Sequence, residues 1–387
     1  RFNKKDADAY SRWLADYKKY YERALSEFIM TKLDSPLEML TLGGIKSFIS
    51  GGALRDLYSK TGDYFSDPRV RIAFCLQSVY LGAAPNKLPA VYGLIAYVEF
   101  TEGVWYTKGG LYSVAEALER VCSELGVKIH TGKAVQRIKI DNGKAGGAIL
   151  EDGSFIQADA VISNADLPYT YLHLIDEKVR PHMPDAKVSK LRTSCSSFTM
   201  YLGVEGMVEL PHHCFLLPSD YLRAFEDIFD RKVLPQNPGI YVANPCAHDP
   251  TLAPEGKSII YVLVPVPNLS SGIDWREEAP KLRAEVLRRL AGIGVADLEK
   301  RIVMEKIFTP EDWKESFNLE LGATSGLSPH LLQSAAFRPQ NKDRKIKNLY
   351  FVGASTHPGS GVPIVLLSAE LLERRMRKDF ALGATGA

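Results

Sequence analysis

Hydrophobic and polar positions along this chain follow two periods, and the switch between them divides it. Residues 4 to 29 place Tyr10, Trp13, Leu14, Tyr17, Tyr20, Tyr21, Leu25 and Phe28 at helical spacing opposite a face of Lys, Asp and Arg. That pattern predicts an amphipathic helix whose aromatic stripe serves either core packing or the lining of a substrate path. Asp67-Pro68 predicts a second helix running through Tyr80, and Leu88 to Phe100 continues a mainly helical first lobe. From Gly103 the pattern alternates between short and helical runs. Val104 to Tyr106 reads as a strand, Gly109-Gly110 as a turn, Leu111 to Leu125 as a helix and Val127 to His130 as a strand, a βαβ-like passage. Ala134 to Ile140, Ala145 to Leu150 and Ser154 to Ile156 are then joined by Asp141-Asn142-Gly143 and Asp152-Gly153, the chemistry of type I′ hairpin turns. Asp159 to Ser163 supplies one more strand.

Between about Asp166 and Gly326 the β-rich runs Ser197 to Val204, Gly239 to Ala243 and Ser258 to Pro265 are separated by proline-rich loops. A helix with a basic face, Pro280 to Leu290, follows, so a second lobe is expected to be inserted between two parts of the first. The divisions expected are 1–100, mainly helical and on the substrate or membrane side; 101–165, part of a cofactor-binding domain; 166–325, a substrate lobe with an antiparallel sheet; and 326–387, the rest of the cofactor-binding domain.

The last of these carries the strongest chemical signal. Leu349 to Val352 is a short apolar run bounded by Gly353, which reads as a buried parallel strand. Gly353, Gly359 and Gly361 free the backbone for close approach to a ligand, and Pro363 suits the first turn of the next helix. N–H groups at such a helix start carry partial positive charge, suited to a pyrophosphate or to the electron-rich carbonyl edge of a reduced flavin; an ordinary βα loop is the plain alternative.

The words Phe337-Arg-Pro339, Asn348-Leu-Tyr-Phe-Val-Gly353 and Thr356-His-Pro-Gly-Ser-Gly-Val-Pro363 resemble, in order and spacing, those of the carotenoid (phytoene) desaturases of the flavin amine oxidase superfamily. Glu102-Gly-Val-Trp-Tyr-Thr-Lys-Gly-Gly110, Ser163-Asn-Ala-Asp166 and Ala253-Pro-Glu-Gly256 extend the resemblance nearly end to end. It implies an α/β fold with α+β insertions, a two-lobe flavoprotein of the glutathione-reductase or amine-oxidase type with FAD as cofactor. Gly353, Ala354, Gly361, Val362 and Pro363 would lie against flavin and pyrophosphate, with Ser355, Thr356 and His357 inside the same cradle. Gly109 and Gly110 match the family's glycine pair beside the cofactor. Val135 resembles the position whose backbone holds the adenine, with a simple core valine as the other reading. Asn164 and Ala165 end a strand at the carboxyl edge of a sheet, where cofactors bind in open α/β folds, unless they form only an Asn/Asp turn.

The family's G-x-G-x-x-G turn has no counterpart in the sequence. Gly292-Ile-Gly294 follows an amphipathic run, and Gly126 to Lys133 has the wrong glycine spacing for a phosphate loop. The expectation is a fragment without the N-terminal dinucleotide-binding βαβ unit, roughly a hundred residues, that by itself neither holds FAD nor turns over.

The reaction implied is removal of two hydrogens from a saturated carbon pair of a polyene or isoprenoid hydrocarbon. A hydride goes to flavin N5, a proton leaves the next carbon, and the final electron acceptor is quinone or oxygen. Glu38, in Ser35-Pro36-Leu37-Glu38, is the candidate acid for the proton, although the same four residues spell a helix capping box. Isomerase or end-group oxygenase chemistry, or non-catalytic prenyl binding of the GDP-dissociation-inhibitor type, are the alternatives. His357 either orients the ligand or is a turn histidine, and Arg338 pairs with phosphate or with a carboxylate.

Charge and cysteines narrow the surroundings. With 48 Lys+Arg against 46 Asp+Glu, no electrostatic footprint for nucleic acid exists. The 5 cysteines are widely spaced and read as buried thiols of a reducing compartment, and His212-His213 lacks partners at metal-ligand spacing. No apolar run reaches the eighteen or so residues of a spanning helix. An intracellular protein that meets a membrane only at its surface is the expectation.

Overall fold

The computed structural model describes residues 4–24, 54–295, 297–334 and 337–382. It parts into two compact units, one of residues 1–102, 133–194 and 318–387, the other of 103–132 and 195–317. The divisions drawn from sequence fall at 100, 165 and 325, whereas those in the structure fall at 102, 132, 194 and 317.

In the first unit the helix Lys4–Ala24 buries Trp13 and Tyr17. Trp13 stacks on Tyr17 at 4.5 Å between centroids and meets Phe74 edge-on at 4.7 Å, so within the described part of the stripe these rings are core. Leu25 and Phe28 lie outside the described residues. The helix opened by Asp67, whose carboxylate accepts from the Arg69 N–H, is Pro68–Ala73 and does not reach Tyr80. Phe74 turns to pack on Phe65 at 4.2 Å, and the chain continues as a single 3₁₀ turn, Leu76–Ser78, whose Gln77 donates to Glu99 at 2.6 Å. Tertiary packing outweighs the helical period there. Leu94–Glu102 is helical as expected.

Val135–Asp141, Lys144–Leu150 and Phe155–Gln157 make the expected antiparallel meander, but at Asp152-Gly153 only Gly153 is left-handed, with φ of 80°, so a three-residue loop closed by the Leu150 N–H on Ser154 O replaces the expected type I′ turn. Asn142 and Gly143 take φ of 50° and 70°, the left-handed pair a type I′ turn requires. Val161–Ser163 pairs in parallel with Leu349–Phe351, which is wholly buried. The helix Val362–Asp379 follows.

The second unit is built on a five-stranded antiparallel sheet in the order His213–Leu216, Ile240–Ala243, Lys257–Val266, Ser196–Glu205, Ile302–Phe308. Lys257–Val266 alternates strictly between buried and half-buried, so Ile260, Val262 and Val264 join Phe198, Met200 and Leu202 in one core. The helix Trp275–Ala291 closes it with Trp275, Val286 and Leu290. This helix starts five residues before the predicted Pro280, because Asp274 caps it through the Arg276 N–H; Pro280 is carried inside and forfeits one backbone bond. The two strands not foreseen, His213–Leu216 and Ile302–Phe308, are the sheet's edges, where His213, Glu305 and Lys306 break the apolar signal.

Only the helix of the expected βαβ passage forms, Tyr112–Glu124. Val104 to Tyr106 and Val127 to His130 take no strand structure, since a strand exists only where its N–H and C=O groups meet a partner and neither segment has a ladder among the described residues. Among the described residues no helix is long and apolar enough to cross a membrane.

Candidate functional site

Parallel pairing of Val161–Ser163 with Leu349–Phe351 brings the carboxyl ends of two strands side by side. Asn164 and Gly353 therefore become neighbours although 189 positions apart. Asn164 Nδ2 donates to the Val352 carbonyl at 3.3 Å, and a Cβ at Gly353 would stand 2.9 Å from that same nitrogen. Gly353 also has φ of 113°, so it must be glycine for two reasons.

From Gly353 the chain makes a tight cradle. Thr356 Oγ1 donates to the Gly353 carbonyl at 3.0 Å, and the His357 N–H donates to Pro339 O at 2.8 Å. Asn341 Nδ2 donates to the carbonyls of Phe351 and His357 and to Ser368 Oγ, tying strand, cradle and helix together. Gly361, with φ of 109°, sits at the N-cap of Val362–Asp379 and supplies no side-chain cap, while Pro363 stands in the first turn. The N–H groups of that turn, with their partial positive charge, stand beside exposed residues: Gly361 and Pro363 are exposed, as are Val362 (50 %) and Leu366 (49 %).

This arrangement fits a flavin. A helix start that no side chain caps, with exposed Val362 and Leu366 in its first turns, suits a flat ring with an electron-rich edge. Ala354, Gly361, Val362 and Pro363 are the residues that would hold it, and Gly353, which is buried, shapes the strand end. Ser355, Thr356 and His357 are 3 %, 1 % and 2 % exposed, so backbone and side chain alike are closed to a ligand here, and these three residues support the cradle from within.

Asn164 is exposed and Ala165 half-buried at the same strand end, so both candidates join the cradle. Val135, paired with Leu150 in the meander, is 38 % exposed and is therefore not a core valine. Gly109 and Gly110 belong to the other unit, both in left-handed conformation, and the Gly109 N–H donates to Asp249 Oδ2 at 2.8 Å. Thr251 and that N–H hold the Asp249 carboxyl below the usual range. Glu38 lies outside the described residues.

Two charged residues behind the cradle were not foreseen in their actual roles. Asp166, directly after Ala165, accepts from Ser355 Oγ at 2.5 Å and from the Glu320 N–H at 3.1 Å; burial pushes its carboxyl up, against the pull of the Ser355 hydroxyl. Among the described residues Arg338 pairs with no carboxylate. It is 2 % exposed and donates to four carbonyl oxygens, those of Thr356 (3.0 Å), Leu327 (3.1 Å), Gln333 (3.2 Å) and Ala354. The sequence signal was present in both cases, one residue beyond the Asn-Ala pair and in the Phe-Arg-Pro word, but not the direction each side chain would take.

Residues 49–371 match the family model of the flavin containing amine oxidoreductases. A zeta-carotene-forming phytoene desaturase of Myxococcus xanthus is 41 % identical over 369 residues, 95 % of this chain and 71 % of that protein. A 4,4'-diapophytoene desaturase (4,4'-diapolycopene-forming) of Methylomonas sp is 36 % identical, over 96 % of this chain and 74 % of that protein. Among solved structures, an oxidoreductase from Methanosarcina mazei shares the fold with a TM-score of 0.56 at 20 % identity, covering 85 % of this chain and 71 % of its own.

Proposed function

The chain belongs to the flavin containing amine oxidoreductases and, within them, to the carotenoid desaturases, and from that membership we propose that it dehydrogenates a long isoprenoid hydrocarbon such as phytoene. It is an oxidoreductase of CH–CH groups with FAD as cofactor. The observation that carries the proposal is the cradle itself: two parallel strand ends, Asn164 against Gly353, facing an uncapped helix start at Gly361.

Carbons flanking isolated double bonds are far too weakly acidic for a side chain to deprotonate first. When bound, FAD supplies a hydride acceptor at N5, which makes the adjacent proton acidic enough to leave. The chain's own residues then have three tasks. Backbone at Ala354 and Gly361 fixes the orientation of the ring. Val362 and Leu366 give apolar cover that excludes water. Glu38 accepts the proton, and Glu38→Gln is expected to abolish turnover while FAD affinity is unchanged; near-normal turnover would return Glu38 to a capping role.

A substrate of this kind dissolves only in lipid, so the protein works inside the cell as a peripheral membrane protein and passes its electrons to quinone or oxygen. With a formal net charge of +2, attachment should be insensitive to salt. The test is incubation of protein that carries the family's dinucleotide-binding unit together with this chain, with FAD and phytoene in liposomes, followed by product mass and spectrum. Products lighter by two hydrogens per step support desaturation. Geometric isomers of unchanged mass would indicate an isomerase, oxygen incorporation an end-group oxygenase, and bound but unaltered polyene a carrier.

A further inference from the structure

The tripeptide Ala354-Ser355-Thr356, which forms the floor of the cradle, is held by two charged residues of opposite sign, the buried Arg338 and the half-buried Asp166. Arg338 donates to the carbonyls on either side of Ser355, those of Ala354 and Thr356, and its remaining donors reach Leu327 and Gln333. Asp166 takes the Ser355 hydroxyl in between. Leu327 closes the ring: its carbonyl accepts from Arg338 and its N–H donates to Ser355 Oγ at 3.2 Å. Gly326, with φ of 66°, packs so tightly that a Cβ would lie 2.5 Å from Ser355 Oγ.

A guanidinium buried among carbonyl dipoles is a costly choice if packing were the only need, because an apolar side chain would fill the space without desolvating a charge. What Arg338 alone offers is a planar fork of five donors, able to fix several carbonyls at once. Those carbonyls belong to the two segments, 327–333 and 354–356, whose mutual position sets the path of the backbone from Gly353 to the helix start.

We propose that Arg338 and Asp166 are a positioning pair that clamps Ala354-Ser355-Thr356 by its two outer carbonyls and its central hydroxyl and so fixes the backbone against which the flavin is oriented. The inference rests on the flavin reading for the identity of the ligand; the clamp itself is a property of the chain. It has a second consequence. A buried cation at the floor of the cradle favours the negative charge that a flavin gains on reduction.

Hydrogen exchange followed by mass spectrometry on the ligand-free chain tests the clamp directly. Asp166→Asn, Ser355→Ala and Arg338→Lys are each expected to speed exchange of the amides of residues 353–361 by about tenfold or more, while Ser196–Glu205 and Lys257–Val266 stay at wild-type rates. The double variant D166N/S355A should fall short of the sum of the single effects, since both act on the Asp166–Ser355 bond although each residue also holds a backbone N–H, that of Glu320 or of Leu327. Unchanged rates at the cradle, an even increase throughout the chain, or additive effects in the double variant would overturn the proposal. In the FAD-loaded protein, Arg338→Gln should lower the flavin midpoint potential and Arg338→Lys should keep it closer to wild type; equal potentials in all three would remove the electrostatic consequence. Failure to take up FAD by protein that carries the family's dinucleotide-binding unit together with this chain would count against the flavin reading, and the exchange rates would still decide the clamp.

Discussion

Gly353 is the residue at which a single added carbon does most harm. Gly353→Ala places a methyl against Asn164 Nδ2 and forces alanine to φ of 113°, at a cost of about 1–3 kcal/mol; denaturant unfolding should register that loss, and FAD affinity should fall with it. The glycine was legible because only its spacing and its position after an apolar run were needed. Asp166 was not, since its role depends on Ser355, 189 residues away. Its carboxyl, pushed up by burial, keeps its proton in the folded chain over a range where the unfolded chain has released it. Folded protein thus binds more protons from about pH 4 upward, and stability contributed by this group is present below that pH and lost as pH rises through the elevated value. Chemical denaturation across this range should show a falling slope that Asp166→Asn flattens. Burial also pushes the thiols of Cys75 and Cys195 up to about 12, which leaves about one molecule in 3,000 as thiolate at pH 8.5. Iodoacetamide should therefore label the half-buried Cys122 well before Cys75 or Cys195, and comparable rates at Cys195 would contradict the burial described.

At the scale of elements, what the sequence revealed depended on whether a segment's partner was local. The hairpin turn at Asn142-Gly143 was readable because turn chemistry is written in two residues. Strand Leu349–Phe351 was readable because its burial on both faces leaves an uninterrupted apolar run. By contrast Val104 to Tyr106 and Val127 to His130 carry strand composition yet form none, because composition does not supply a ladder. The edge strand Ile302–Phe308 escaped notice for the converse reason: Glu305 and Lys306 interrupt its apolar run, and pairing with Ser196–Glu205 recruits it. The sheet and its helix stand on a core where Leu202 is 1 % exposed, so Leu202→Ala should destabilise by about 2–5 kcal/mol. Thermal unfolding followed by circular dichroism would show it, and a loss under about 1 kcal/mol would mean that this core packs more loosely than described.

For the whole molecule, the insertion of an antiparallel sheet lobe between two parts of another unit could be read from the order of periodicities, whereas the units' limits at 102, 132, 194 and 317 could not. Residues 103–132 group with 195–317, and 166–194 with the meander before them, because contacts rather than sequence proximity decide membership. Composition settled little beyond the lack of a nucleic-acid footprint, and it was the recurrence of short words from Glu102 to Pro363 that pointed to the family. If the cradle from Gly353 to Pro363 presents FAD to a polyene carbon, flavin reduction and double-bond formation are one event. An anaerobic single turnover with phytoene in liposomes, of FAD-loaded protein that carries the family's dinucleotide-binding unit together with this chain, follows the visible flavin absorbance and the product together. Flavin should bleach in step with product, one new double bond for each flavin reduced. Product without bleaching, or bleaching without a new double bond, would rule that role of the cradle out.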